Sequence, residues 1–225
     1  MKILGIETSS PVFSLCLNND DKVVCEFSRK REFEGHKDGL IFEEAKRLLA
    51  SMKGEQIDAI AVSIGPGMFT SLRVGLSLAK GFSVVNGTPV VAVNTLDVIG
   101  VKHSCQVSPL VAVINAYRGE IYAAFYENGV RTGDYMLTTP AELASMIKVR
   151  TVVVGPGTDL LEAGEINRAK LDIARGEQYR PSASTVVAVA WPRIKKGDFD
   201  DITALEPCYI KKTDAEREYD KSNAV

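Results

Sequence analysis

The hydrophobic positions of this chain follow two rhythms. Short apolar runs at residues 2–7 (KILGIE), 57–64 (IDAIAVSI) and 89–94 (PVVAVN) predict strands, the first of them buried. Residues 12–18 (VFSLCLN) alternate and predict a half-buried strand; Asn18, Asn19, Asp20 and Asp21 turn the chain, and 22–27 (KVVCEF) returns as a third strand. Elsewhere the period becomes helical. Over 37–53, Leu40, Ile41, Leu48, Leu49 and Met52 fall near one face with charges opposite. A second helix, about 68–86, follows the turn Gly65-Pro66-Gly67.

The second half repeats this order. Residues 109–116 (PLVAVINA), 120–127 (EIYAAFYE) and 130–137 (VRTGDYML) predict three strands joined by tight turns. A short helix opens at Thr139 as N-cap with Pro140 in its first turn. Residues 150–157 (RTVVVGPG) then end, like 62–67 (VSIGPG), in Gly-Pro-Gly, and TDLLEAG follows. Residue identity between the halves is slight, so the repeat is architectural. A duplicated β-β-β-α-β-α unit is the pattern of the α/β actin-like ATPase fold (ASKHA, ribonuclease H-like), with two subdomains facing across a cleft. We place them at residues 1–100 and 101–225. One more helix is expected from about Ser182, and the tail beyond Thr213 is charged and expected to be partly disordered.

Composition narrows the classes. The chain has 225 residues, 45% hydrophobic, and a net charge of -2 from 27 basic and 29 acidic residues. That suffices for a real core and gives no mark of a stand-alone nucleic-acid binder. The N-terminus is too short in apolar residues for a signal-peptide core, and no run approaches a membrane span, so a cytoplasmic protein is expected. Cys16, Cys25, Cys105 and Cys208 are scattered without a Cys-x-x-Cys pair and read as buried free thiols. His36 and His103 are the only histidines, and no local motif makes a metal site of them.

Three stretches could carry chemistry. In GIETSSP (5–11), Glu7 at a strand end over a cleft could hold a hard cation, and Thr8 could approach a phosphate; the plainer alternative is that the hydroxyls satisfy a turn. Gly65 and Gly67 permit close backbone approach at a helix start, where N–H groups attract anions, yet no Lys follows as in a P-loop. In NAYRGEIYAAFY (115–126), Arg118 could clamp a phosphate or carboxylate, although alternating aromatics also suit ordinary strand packing. The helix after Gly67 is more telling. Phe69, Leu72, Leu76 and Ala79 form one apolar stripe, and Val74, Leu78, Phe82 and Val85 another, with Gly75, Ser77, Gly81 and Ser83 between them. A helix apolar on two sides must be covered on two sides, once by its own sheet and once by a further element or a partner helix.

Taken together and in order, ILGIETS, SIGPGMFTSLRVGLSLAKGF, NAYRGEIY and LEPCYIKK resemble the bacterial TsaB (YeaZ) family over nearly the whole chain. This sequence departs from the family pattern at Met68 (for Ser), Ser71 (for Gly), Asn115, Tyr117 and Lys211 (for Arg). The resemblance implies an actin-like fold whose own active site has decayed. It implies pairing with the related TsaD protein, together with the ATPase TsaE, for threonylcarbamoyl transfer to adenosine beside the tRNA anticodon. It implies no cofactor of its own, with ATP or ADP at the subunit junction, contact with tRNA through the complex, and pairing of two copies when the chain is alone. The metal site belongs to TsaD, through His-x-x-x-His; here His36 has Glu32 four residues before it. On this reading the docking residues are Phe69, Leu72, Val74, Gly75, Leu76, Leu78, Ala79 and Phe82. Glu7, Thr8, Gly65, Gly67 and Arg118 are the candidates for ligand contact. The rival from another class is an active actin-like kinase for a small metabolite, with Glu7 on Mg²⁺ and Asp97 or Asp134 as base. Arg193, Lys195, Lys196, Lys211 and Lys212 read as a solvated basic face.

Overall fold

The computed structural model of the chain describes residues 1–30, 40–52, 54–105, 107–163 and 169–210. The expected helix start at 37, His36, Lys211, Lys212 and the charged tail lie outside the described residues.

The N-terminal sheet has five strands in the order β3-β2-β1-β4-β5. β1 (Lys2–Glu7), β2 (Val12–Asn19) and β3 (Lys22–Lys30) form an antiparallel meander, while β4 (Ala59–Ser63) and β5 (Val90–Val93) run parallel to β1. β1 and β4 are almost unbroken apolar runs because both their faces are covered. On one face lie α1 (Leu40–Ser51) and α2 (Phe69–Asn86), where Ile41, Leu48, Leu76 and Ala79 meet Leu4, Ile6, Ile60 and Val62. On the other face, Ile3, Ala61, Val91 and Val93 pack against Ala183, Val186, Val187 and Ala190 of the last helix, Ala183–Lys196.

That helix comes from the chain's C-terminal end, which corrects the expected division at residue 100. The N-terminal half is completed by residues 183–210, and the C-terminal half spans roughly 110–182. The reason is physical. A parallel-centred sheet exposes two apolar faces, and α1 and α2 cover only one. After the last helix the chain continues along the N-terminal half. The Asp200 N–H donates to Val90, its carboxylate accepts from the Ala92 N–H at 2.7 Å, and Arg193 bridges to Asp198 and Asp200.

The C-terminal half repeats the meander with β6 (Leu110–Asn115), β7 (Ile121–Glu127) and β8 (Val130–Arg131), joined to β10 (Thr151–Val154) and β11 (Leu171–Ile173) in the order β11-β10-β6-β7-β8. The single strand expected over 130–137 is two. β8 pairs with one end of β7 and β9 (Met136–Thr138) with the other, and Gly133 at φ 102° breaks the run between them. α4 (Pro140–Met146) starts as expected at Thr139, in a full capping box with Glu142. α5 (Thr158–Ala163) follows the second Gly-Pro-Gly, and the last helix is α6.

One helix was not expected. α3 (Thr95–Ser104) connects the two halves, capped by Asn94, whose side chain accepts from the Leu96 N–H. Val98 enters the N-terminal core, and Leu96 and Ile99 enter the C-terminal one. Apolar residues go nearly all the way round α3, so no one-sided period marks it. All four cysteines are free, as expected, but only Cys16 is buried; Cys25 and Cys105 are exposed. No described helix is long and apolar enough to cross a membrane.

Candidate functional site

The two Gly-Pro-Gly turns leave β4 and β10, and both border one cleft of about 550 Å³ between the halves. Ser9, Gly67 and Thr95 line it from one side, and Tyr117, Asp159 and Arg175 from the other. Three backbone N–H groups at these turns serve the fold. Met68 donates to the Ser9 carbonyl at 2.8 Å, Gly157 to Val113 at 3.1 Å and Thr158 to Gly155 at 3.2 Å. A side chain at Gly67 would meet the Ser9 carbonyl oxygen within 2.4 Å, so this glycine is required for contact with the β1–β2 loop. The turn thus aims α2 and fixes it to that loop.

Glu7 does not reach the cleft. It is fully buried, and its Oε1 accepts from the Ser9 N–H at 2.6 Å and from the Ser9 hydroxyl at 2.5 Å. Its Oε2 has no hydrogen-bond partner; Ser63 on β4 lies alongside without a bond of ordinary geometry. Burial pushes the Glu7 carboxyl up, against the weaker pull of Ser9 and Ser63. The residue expected to hold a hard cation over the cleft thus lies beneath its surface, with its nearest polar neighbours on the β1–β2 loop and β4. Thr8 is buried against α2, not turned to a phosphate: a Cβ on Gly75 would lie 2.2 Å from its Oγ1. Arg118 is exposed at φ 57° in the β6–β7 turn, and the neighbouring Tyr117 is the residue that borders the cleft.

One of the two candidate bases is engaged in structure. Asp97 on α3 accepts from the Tyr126 hydroxyl at 2.8 Å and from the Tyr135 hydroxyl, with Arg131 at 3.7 Å. Burial first, and Asp97 second, push the Tyr126 hydroxyl well above its ordinary pKa. This cluster fastens α3 to β7 and β8. Asp134 is exposed in the loop before β9. Among the described residues, no three His, Cys, Asp or Glu side chains come together to hold a metal ion.

α2 separates the eight expected docking residues into two groups. Leu72, Gly75, Leu76 and Ala79 are buried in the chain's own core, because this stripe is the one that faces the sheet and the Thr8 loop. Val74, Leu78 and Phe82 are half-buried along its border, and Phe69 is 41% exposed. The outward face instead runs through Thr70, Arg73, Ser77, Gly81 and Val84. It carries apolar residues that water meets directly: Val84 and Val85 on α2 at 76% and 81% exposure, and Phe42 on α1 at 46%. Sequence reasoning also missed what lies at the start of α2. The Phe69 ring stacks on Tyr209 with centroids 5.1 Å apart, and Arg73 lies over Phe69 at 3.9 Å. The signal available was LEPCYIKK, whose Cys208 N–H donates to the Ile64 carbonyl and so delivers Tyr209 to this place.

Two facing halves, each a meander with parallel strands added, define an actin-like α/β protein. The family model described as "TsaD: tRNA N6-adenosine threonylcarbamoyltransferase" matches residues 41–217, and the chain belongs to that family, with the TsaB (YeaZ) members as its relatives. It is 28% identical to "tRNA threonylcarbamoyladenosine biosynthesis protein TsaB" of Escherichia coli, over 94% of this chain and 95% of that one. It is 30% identical to an uncharacterized protein of Mycobacterium tuberculosis, over 95% and 93%. Among solved structures, YeaZ from Pseudomonas aeruginosa superposes with a TM-score of 0.76 at 20% identity, covering 92% of this chain and 99% of that one.

Proposed function

We propose that this chain is a non-catalytic subunit for the formation of threonylcarbamoyladenosine in tRNA. It docks a TsaD-type transferase through the outward face of α1 and α2 and works with the ATPase TsaE. The transferase carries the chemistry on adenosine beside the anticodon, and tRNA meets the chain through the complex. The observation that carries the reading is that Phe42, Val84 and Val85 stand exposed on the two helices that cover one side of the N-terminal sheet, in a chain whose relatives are named for this pathway. Small residues at Ser77 and Gly81 let a partner helix approach closely. The same face pairs two copies when the partner is absent. The withdrawal of Glu7 and the engagement of Asp97 by two tyrosines support a role without an active site here, and any ATP or ADP belongs to the subunit junction.

The test is threonylcarbamoyl transfer in a purified system of transferase, TsaE, ATP, tRNA and preformed threonylcarbamoyl-adenylate, with and without this chain. Modification that depends on the chain is expected. Equal modification without it would overturn the reading. Stoichiometric ATP turnover by the isolated chain would instead favour the kinase that the cleft could house.

A further inference from the structure

At the N-terminal end of α2, three side chains from two distant parts of the chain form one exposed unit. Phe69 and Tyr209 stack at 5.1 Å with ring planes 27° apart, and both are about two-fifths exposed, at 41% and 42%. Arg73, one turn along, lies over Phe69 and donates its Nε–H to the Tyr209 hydroxyl at 3.1 Å. The unit is held from below. Cys208 donates to Ile64 at 2.7 Å, and Leu205 and Ile202 pack into the core beneath α2. A rigid Phe–Arg–Tyr cluster of this kind lowers the ordering cost of binding, and Tyr and Arg are the residue types in which interface hot spots concentrate.

Its charge says what it would receive. Arg73 forms no ion pair among the described residues, and with Nε engaged its two terminal NH₂ groups remain in a planar fork suited to a carboxylate. α2 contains no acidic residue over Phe69–Asn86, and its other cation, Lys80, lies near Asp201. We propose that Phe69, Arg73 and Tyr209 form a docking platform that takes a carboxylate of the protein partner flanked by apolar side chains. The inference rests on the docking reading, whose face it continues. A single guanidinium on a chain of net charge -2 does not make a phosphate-tracking surface, so a protein carboxylate suits it better than an RNA strand.

The test is calorimetric titration of the full chain with its cognate transferase at low and high salt, comparing Arg73→Ala, Arg73→Lys, Tyr209→Ala and Tyr209→Phe with Gly81→Leu on the neighbouring face. Arg73→Ala and Tyr209→Ala are expected to weaken binding by roughly 10- to 100-fold at unchanged melting temperature, and Arg73→Ala to flatten the salt dependence. Arg73→Lys keeps the charge without the fork and should recover little; Tyr209→Phe should lose only a few-fold. If Gly81→Leu abolishes binding while the Arg73 and Tyr209 variants bind normally, the platform is overturned and the docking reading stands. If none of them alters binding, both fall. If the isolated chain binds tRNA and Arg73→Ala removes that binding while sparing the transferase, the platform reads nucleic acid and the proposal is wrong.

Discussion

Glu7 sits at the end of β1, fully shielded from bulk solvent, with one carboxylate oxygen unpartnered. Burial raises its pKa above the ordinary 4.5, so as pH rises the unfolded chain releases this proton before the folded one does. The sign follows directly. Below the unfolded value the residue costs nothing, and its cost grows as pH climbs towards the folded value. Glu7→Gln keeps an oxygen for Ser9 and cannot ionise, so its stability relative to the parent should improve as pH rises from about 4.5 to neutrality. Urea unfolding at the two ends of that range checks it; an offset that does not change with pH would show that the carboxyl is ionised in the fold. Gly75 offers a sharper steric case. A methyl there would crowd the Thr8 Oγ1, Cγ2 and Cβ at once, and that short, β-branched side chain is itself fully buried. Gly75→Ala is therefore expected to destabilise by about 1–3 kcal/mol, measured by the same unfolding curves.

On α2, fold and docking make opposite demands at a single residue. Gly81 is exposed, and nothing in the chain lies within 4 Å of a Cβ built on it. For an isolated chain, Gly81→Ala should stabilise the helix by roughly 0.5–1 kcal/mol. If a partner helix crosses here, the same methyl or a larger group should weaken docking, so stability and affinity move in opposite directions. Gains in both would place the partner elsewhere. Leu76→Glu makes the complementary point. That side chain is 5% exposed in the core, so the variant should lose about 3 kcal/mol or more and fail to report on docking at all. Both apolar stripes of α2 were visible in the sequence, but not which one the sheet would take, because β1 and the Thr8 loop decide that from far away along the chain. α3 was illegible for a related reason: buried on two sides, it shows no polar face to set its period. The capped α4 and the strands β1, β4 and β6 were readable because their signals are local, a Thr-Pro start or an unbroken apolar run.

At the scale of the whole molecule, the two halves have separate sheets but share helices. α3 carries residues of both cores, and α6 with the segment to residue 210 returns from the second half to complete the first. No cut in the sequence separates them, which is why a boundary drawn near residue 100 from the repeat alone misplaces the last helix. Such interlacing predicts a single cooperative unfolding transition rather than two. The Asp97 cluster is where this can be tested with one atom. Tyr126 is fully buried and donates to Asp97 at 2.8 Å, joining β7 to the shared helix. Tyr126→Phe removes that bond and leaves Asp97 with Tyr135 and Arg131, at a cost of about 1–2 kcal/mol. For a chain of this length that corresponds to a fall in melting temperature of roughly 2–8 °C. If α3 holds the halves as one unit, scanning calorimetry should show one peak moved down as a whole, with calorimetric and van't Hoff enthalpies still equal. A peak that splits, with the N-terminal half melting at its original temperature, would mean that α3 is a linker and that α6 alone ties the molecule together.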